Sequence, residues 1–331
     1  LDSVRYFLET KNWQNFQELD KNWLSKCRAI FETRFREDKF VNSLSNATDC
    51  YSKFASTTGL GQWYQNISNQ VSLWNNFFIE PLRDTLWRTP SHKLHSEGKF
   101  ALFHYNPADK RTNDKAPVLI IYAFINRHYI LDLLPEVSII RSLLAKGLDI
   151  FATDWGTPSS YDQDLTLHHY INNYLDKSVD KIREHTNSDK VSIFGYCWGG
   201  DLALMYAALY PEKVKNLITL ATPGDFSLDD GLLSLWTKRM NVDSLIDTFG
   251  NAPSMMLNGA FALRSPIDYI HKIPHFFEKP RDIDSVAEFF ATEMWLYDSP
   301  PVAGEIYRQF VKDCYQDNLL VKKQMNIGKG K

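Results

Sequence analysis

One stretch constrains this chain more than any other: Val191-Ser192-Ile193-Phe194-Gly195-Tyr196-Cys197-Trp198-Gly199-Gly200. A short β-rich run ends in Gly-x-Cys-x-Gly, and helix-forming residues 201–210 follow directly. That order predicts strand, sharp turn and helix, a nucleophile elbow with cysteine where hydrolytic enzymes usually carry serine. Gly195 and Gly199 flank the cysteine at minus and plus two. Neither has a Cβ to clash where strand and helix close on so tight a turn. Such a turn lifts the Cys197 sulfur above the sheet and aims the first helical N–H groups toward it. Those amides, with the positive end of the helix dipole, favour a thiolate and any oxyanion forming beside it. A buried structural cysteine on a glycine-rich turn is the plainer alternative. The joint presence of strand, both glycines and helix favours the elbow.

Around the elbow, short β-rich runs alternate with longer helical ones. Strands are predicted at 100–105, 118–123, 149–153, 191–194 and 217–221. Helices are predicted at 130–146, 166–186 and 201–210, with Gly147 closing the first. This alternation implies an α/β fold with a mostly parallel sheet flanked by helices, and the elbow makes it α/β-hydrolase-like. Ligands of such sheets bind at the carboxyl ends of the strands, where Cys197 falls. The predicted division is a helical N-terminal region at 1–88, an elbow-bearing core at 89–224, a helical lid at 225–320, and the start of a return to the core at 321–331. In the first region Trp63, Ile67, Val71, Trp74 and Phe78 share one helical stripe, and Trp23, Cys27, Ile30 and Phe31 a second. These stripes pack on each other or on the core, or else serve a partner subunit or an apolar surface; periodicity leaves both open.

Composition narrows the function. With 23% charged residues and a net charge of −3, the chain offers no electrostatic case for nucleic acid or an anionic membrane. Cys27, Cys50, Cys197 and Cys314 are scattered without a CxxC pair. That argues against a zinc ribbon or a disulfide framework and favours a reducing compartment. No apolar run approaches the ~20 residues of a membrane span, and no signal-peptide pattern opens the chain. The expectation is a cytoplasmic protein with no transmembrane segment, metal or other cofactor.

A cysteine nucleophile needs a base, and usually a carboxylate to orient it. In the α/β-hydrolase order the acid and then the histidine follow the nucleophile. The histidines after Cys197 are His271 and His275, around Pro274 in the predicted lid, and neither fits a triad. Pro274 also spoils the helix that would align them on a metal, and a third ligand is lacking. His168 and His169 are adjacent and would point apart on a helix. His92, His95, His104, His128 and His185 are expected at the surface or in loops. Asp154 ends a strand ahead of the elbow, so a structural hydrogen-bonding role is expected of it. No strands that would deliver acid and histidine follow residue 320, so the sequence as given is expected to stop before them and to be inactive alone.

Gly195-Tyr196-Cys197-Trp198-Gly199-Gly200 resembles the Gly-x-Cys-x-Gly-Gly box of polyhydroxyalkanoate (PHA) synthases, which polymerise 3-hydroxyacyl-CoA into storage polyester. The resemblance extends to Tyr122-Ala123-Phe124-Ile125-Asn126-Arg127, Asp154-Trp155-Gly156, Thr222-Pro223-Gly224-Asp225-Phe226, Gly250-Asn251-Ala252-Pro253 and Phe310-Val311-Lys312-Asp313. It runs from Trp87 to the last residue and is nearest the class III catalytic subunit. Trp198 and His128 stand where that family often has Gln and Pro, and residues 1–85 exceed its short N-terminal lead.

The resemblance implies that Cys197 attacks an acyl-CoA thioester, carries the growing chain and releases CoA. It implies an oxyanion hole made by the backbone N–H of Trp198 and a second amide in the 124–126 loop, assigned to Ile125. Short-chain substrates such as 3-hydroxybutyryl-CoA, a polyester product, a second synthase subunit in a homo- or hetero-oligomer, and a place at the surface of polyester granules are implied as well. Two rival readings share the same motif: a cysteine-type hydrolase or thioesterase, and a non-catalytic granule scaffold acting through the N-terminal helices.

Overall fold

Six strands form one mixed sheet in the order β1-β2-β4-β3-β5-β6. They are β1 (Ser91–Glu97), β2 (Phe100–Tyr105), β3 (Val118–Ile121), β4 (Ile150–Asp154), β5 (Val191–Tyr196) and β6 (Val214–Leu220). The computed structural model describes residues 89–105, 116–228, 231–262 and 283–328. Both aromatic stripes of the first 88 residues, together with His271 and His275, lie outside the described residues. The sheet belongs to the unit formed by residues 87–272 and 295–331.

Strand β2 pairs antiparallel with β1 and with β4, whereas β4, β3, β5 and β6 run parallel. Val118, Leu119, Ile120 and Ile121 are all buried, as the unbroken apolar run of a strand covered on both faces requires. The sheet starts one strand earlier than the sequence suggests, because 91–97 alternates weakly and carries three polar or charged exposed residues in a row. Gly98, at φ +59°, supplies the left-handed residue of the hairpin that joins it to β2. At the other side β6 has only β5 as a partner among the described residues, and Leu217, Ile218 and Leu220 are exposed.

Helices cover the sheet: α1 (Ile139–Leu144), α2 (Asp176–Thr186) and α3 (Trp198–Leu209). The helix predicted over 130–146 is largely replaced by short 3₁₀ turns at His128–Asp132 and Pro135–Val137. Pro135 cannot donate to a continuing helix. Ser138 then restarts the chain by accepting from the Arg141 N–H at 2.9 Å. Buried Asp132 ties the segment to the sheet margin through the Thr89 N–H and hydroxyl, each at 2.8 Å. The helix predicted over 166–186 begins instead as a π-helical stretch, His169–Leu175, before α2.

After β6 the described chain is helical: α4 (Leu232–Arg239), α5 (Val242–Phe249), α6 (Ser254–Ala262), α7 (Ile283–Tyr297) and α8 (Gly304–Gln309). A second π-helical stretch, Phe310–Gln316, continues α8, and α9 (Leu319–Lys322) follows. No helix among the described residues is long and apolar enough to cross a membrane.

Candidate active site

Cys197 sits at the junction of β5 and α3 with φ 55° and ψ −131°, a conformation that favours glycine. Holding a cysteine there costs of order 1–3 kcal/mol, and such strain persists only where the surroundings fix it. Two bonds do so. The Cys197 N–H donates to the Leu220 carbonyl at 2.9 Å, and its carbonyl accepts from the Gly200 N–H at 2.7 Å. The side chain is half-buried. Ala221, at φ 53°, makes a second strained turn just after Leu220.

The motif glycines are places where no side chain fits. A Cβ on Gly195 would press on the Ala203 Cβ at 2.8 Å, and one on Gly199 would strike the Ile121 carbonyl oxygen and lie 2.6 Å from the Tyr122 carbonyl carbon. A Cβ on Gly200 would run into the Thr222 side chain. Missing side chains thus let the start of α3 rest on the backbone at the end of β3. The loop after β3 is thereby brought beside the elbow.

That loop carries Ile125, which is buried, and it is anchored at both ends. The Trp155 indole donates to the Tyr122 carbonyl at 2.8 Å. Arg127 donates to the Gly156 carbonyl at 3.0 Å and to the Thr157 hydroxyl at 2.6 Å, while its own carbonyl accepts from the Trp295 indole at 2.7 Å. Trp198 is the first residue of α3, and the leading N–H groups of a helix have no acceptor within it. Both amides singled out from the sequence therefore lie at this end of the sheet, one on each of the two abutting elements.

The walls are aromatic. Tyr122 stacks on Tyr196 with ring centres 5.3 Å apart, following from the register that pairs Ile121 with Gly195. Burial, reinforced by the nearby Tyr196 hydroxyl and Cys197 sulfur, pushes the Tyr122 phenol well above its ordinary pKa, so it stays protonated. The Trp198 ring packs on Phe124 at 5.4 Å and on Phe310 at 4.3 Å, and its indole N–H donates to the Tyr315 hydroxyl at 3.2 Å. The sequence marks Trp198 for its backbone N–H and as a departure from the family's Gln; Tyr315, 117 residues on, carries no signal there.

Asp201, four residues past the cysteine, is fully buried. One oxygen accepts from the Gly224 N–H at 3.0 Å and the other has no hydrogen-bond partner. Burial raises its pKa from 3.8 to about 7, partly offset by the Gly224 bond. Cys314 is buried as well, and desolvation pushes its thiol far up, with Asp201 adding to the effect. By the rule that the thiolate is the reactive form, Cys314 is inert.

Other acid–base candidates are engaged by partners of their own or lie outside the described residues. Asp154 accepts from the Gly156 N–H at 2.9 Å, fastening the turn after β4. His104, expected at the surface or in a loop, is instead buried on β2, one strand in from the edge of the sheet, with its ring nitrogen 2.6 Å from Asp149. Asp149 precedes β4, so this pair lies at the amino ends of the parallel strands, opposite Cys197. His169 is engaged by Thr166, and His128 meets the Tyr105 hydroxyl at 3.4 Å. Among the described residues no cluster of three or more histidine, cysteine or carboxylate side chains could hold a metal ion.

Comparison with known proteins agrees with this geometry. Residues 84–143 match the family described as Poly-beta-hydroxybutyrate polymerase (PhaC) N-terminus, and residues 116–245 match the alpha/beta hydrolase fold. The chain is 42% identical over 232 residues to the poly(3-hydroxyalkanoate) polymerase subunit PhaC of Allochromatium vinosum, covering 70% of this chain and 65% of that one. It is 39% identical over 273 residues to the same subunit of Thiocystis violacea, covering 82% of this chain and 74% of that one. With the Haloferax mediterranei subunit it shares 40% identity over 243 residues, which is 72% of this chain and 49% of that one. The matched part thus spans between about half and three quarters of these relatives. At this identity over most of its length, and with an alpha/beta hydrolase sheet bearing the elbow, the chain belongs to the poly(3-hydroxyalkanoate) polymerase family.

Proposed function

We propose that the protein is the catalytic subunit of a polyester synthase that polymerises 3-hydroxyacyl-CoA through a covalent acyl-cysteine at Cys197. The observation that carries this reading is the strained Cys197 backbone between β5 and α3, in a chain whose relatives are named as polymerases. In this reading the sulfur attacks the thioester carbonyl carbon, and the negative charge that develops on oxygen is met by the amides of Trp198 and Ile125. The tetrahedral species collapses by breaking the carbon–sulfur bond to CoA, which leaves as the thiol. The 3-hydroxyl oxygen of the next acyl group then attacks the acyl carbon, an ester bond forms and the Cys197 sulfur is released.

Sulfur suits this exchange because thioester for thioester is nearly thermoneutral. The proton acceptor for thiol and hydroxyl is assigned to none of the described histidines. The aromatic walls around Cys197 favour a dry site, in which the incoming hydroxyl competes with little water. The relatives are named as subunits, so the reading includes a second subunit.

The test is turnover of 3-hydroxybutyryl-CoA by the full-length protein with any partner subunit it needs. CoA release accompanied by insoluble polymer, and mass spectrometry showing an acyl group on the Cys197 peptide, are expected. Free 3-hydroxy acid in amounts equal to the CoA released, without polymer, would mean a hydrolase. Polymer formation that survives Cys197→Ala would mean that the cysteine is not the nucleophile.

A further inference from the structure

A backbone amide serves an oxyanion only if it is held in place before the charge develops. The loop after β3 has left the strand ladder, so other bonds must set its position. Arg127, two residues past Ile125, uses every polar atom it has for this purpose. Its N–H donates to the Asn126 side-chain oxygen at 2.7 Å, and its carbonyl accepts the Trp295 indole N–H at 2.7 Å. All three guanidinium nitrogens donate as well. Nη1 gives to the Gly156 carbonyl at 3.0 Å, Nη2 to the Thr157 hydroxyl at 2.6 Å and Nε to the Asp298 carbonyl at 3.3 Å.

One residue thereby joins three stretches: the loop after β3, the turn after β4 and the end of α7. They belong to the same unit as Cys197. A planar fork with fixed donor directions sets position as well as contact, which a flexible ammonium does not. Tyr129 doubles the link to the end of α7, because its hydroxyl donates to the Asp298 carboxylate at 3.0 Å. The Arg127 and Asp298 side chains are only 21% and 34% exposed, so little water competes for the guanidinium donors.

We propose that Arg127 is a positioning residue of the acylation step: clamped by the turn after β4 and the end of α7, it fixes the loop whose Ile125 amide meets the acyl oxygen. Arg127 touches neither substrate nor sulfur in this role. The inference rests on the proposed attack of Cys197 on a thioester, with the Ile125 amide receiving the charge.

Two reactions of the same sulfur separate positioning from simple support of the fold. Iodoacetamide alkylation displaces iodide at a saturated carbon and forms no oxyanion; acylation by 3-hydroxybutyryl-CoA forms one. Both are measured on the full-length protein with any partner subunit it needs. Alkylation is followed against pH by mass spectrometry of the Cys197 peptide, and acylation by CoA release in the first turnover. Arg127→Met is expected to slow acylation by roughly 10–100-fold, somewhat less than the loss of an oxyanion donor outright. It should lower kcat with little change in KM, while its alkylation profile matches the parent's. Arg127→Lys keeps the charge without the fork and should recover only part of the rate. Trp295→Phe removes the donor to the Arg127 carbonyl and should slow acylation selectively, by less. Arg183→Met is the comparison. Arg183 also bonds a carbonyl and a carboxylate, those of Asp189 and Asp180, but Asp189 precedes β5 at the amino ends of the strands. Both rates should be unchanged there.

Acylation at the parental rate in folded Arg127→Met overturns the proposal. So does a fall in alkylation as large as the fall in acylation, since the effect would then be general loosening. Full recovery in Arg127→Lys overturns it too, because charge alone would then suffice. If Arg127→Met is recovered unfolded, Trp295→Phe decides by the same comparison of rates. Loss of turnover in Cys197→Ala alongside parental acylation in the Arg127 variants removes this inference alone. Retained turnover in Cys197→Ala removes the reading beneath it.

Discussion

The Cys197 N–H donates to the Leu220 carbonyl at 2.9 Å, so the last ladder bond between β5 and β6 is made by the residue that leaves the sheet. The chain must then turn within one residue, and it does so at φ 55° with a side chain present. Glycine would take this conformation at little cost. Cys197→Gly and Cys197→Ala both remove the sulfur, but only the first removes the Cβ. Urea unfolding should therefore find Cys197→Gly more stable than Cys197→Ala by about 1–3 kcal/mol, with neither able to be acylated. Equal stabilities would show that the turn stores no strain.

The motif glycines separate steric from conformational need. Gly199→Ala drives a Cβ into the Ile121 carbonyl, backbone against backbone, and neither side can yield without moving the start of α3. A loss of about 1–3 kcal/mol is expected, together with slower alkylation of Cys197 as the turn shifts. Gly224→Ala meets nothing within 4 Å, and its cost comes only from φ +63°. That cost is about 1–2 kcal/mol with no change in Cys197 reactivity. Alkylation rates measured beside unfolding curves distinguish the two.

How much of this was legible in the residues follows from the range of the signals. Strand, glycines, cysteine and helix lie in one unbroken stretch, 191–210, and each has a local cause, so the elbow could be read directly. The run Val118–Ile121 was legible for the same reason, being apolar on both faces. The partners of the site were not. Tyr315 is brought to Trp198 by packing of the second π-helical stretch, across 117 residues that no period or motif connects. Asp201 looks like any acidic residue in the first turn of a helix, and only burial distinguishes it. His104 differs in the opposite way: a histidine expected at the surface or in a loop is buried, because its partner Asp149 lies 45 positions away, beyond the range of any local signal.

The His104–Asp149 pair supplies a negative control for the site. Both side chains are almost wholly buried, at 9% and 3% exposure, and their bond is 2.6 Å long. His104→Ala removes that bond and leaves a space beside Phe151, whose ring stacks on the imidazole at 4.3 Å. A loss of about 2–4 kcal/mol is expected from the unmade hydrogen bond and the cavity together. The pair lies at the amino ends of the strands, so Cys197 alkylation in the folded variant should match the parent. A changed alkylation profile would place the imidazole in communication with the elbow.

Asp201 makes stability depend on pH in the direction opposite to most carboxylates. Its folded pKa, about 7, lies above the ordinary 3.8 that it regains on unfolding. Between those two values the folded state holds a proton that the unfolded state has lost, so raising the pH favours unfolding. Below about pH 4 both states are protonated and the penalty vanishes; above about pH 7 both are ionised and it is complete. Across that window the loss is roughly 4 kcal/mol, taking about 1.4 kcal/mol for each tenfold change in proton affinity. Asp201→Asn cannot ionise and keeps an oxygen for the Gly224 N–H, so its stability should be flatter over the same window. Urea midpoints at about pH 4.5 and about pH 7.5 measure this, and the variant should gain on the parent as the pH rises. Parallel pH dependences in the two proteins would mean that Asp201 is ionised in the fold, with its second oxygen bonded to a donor.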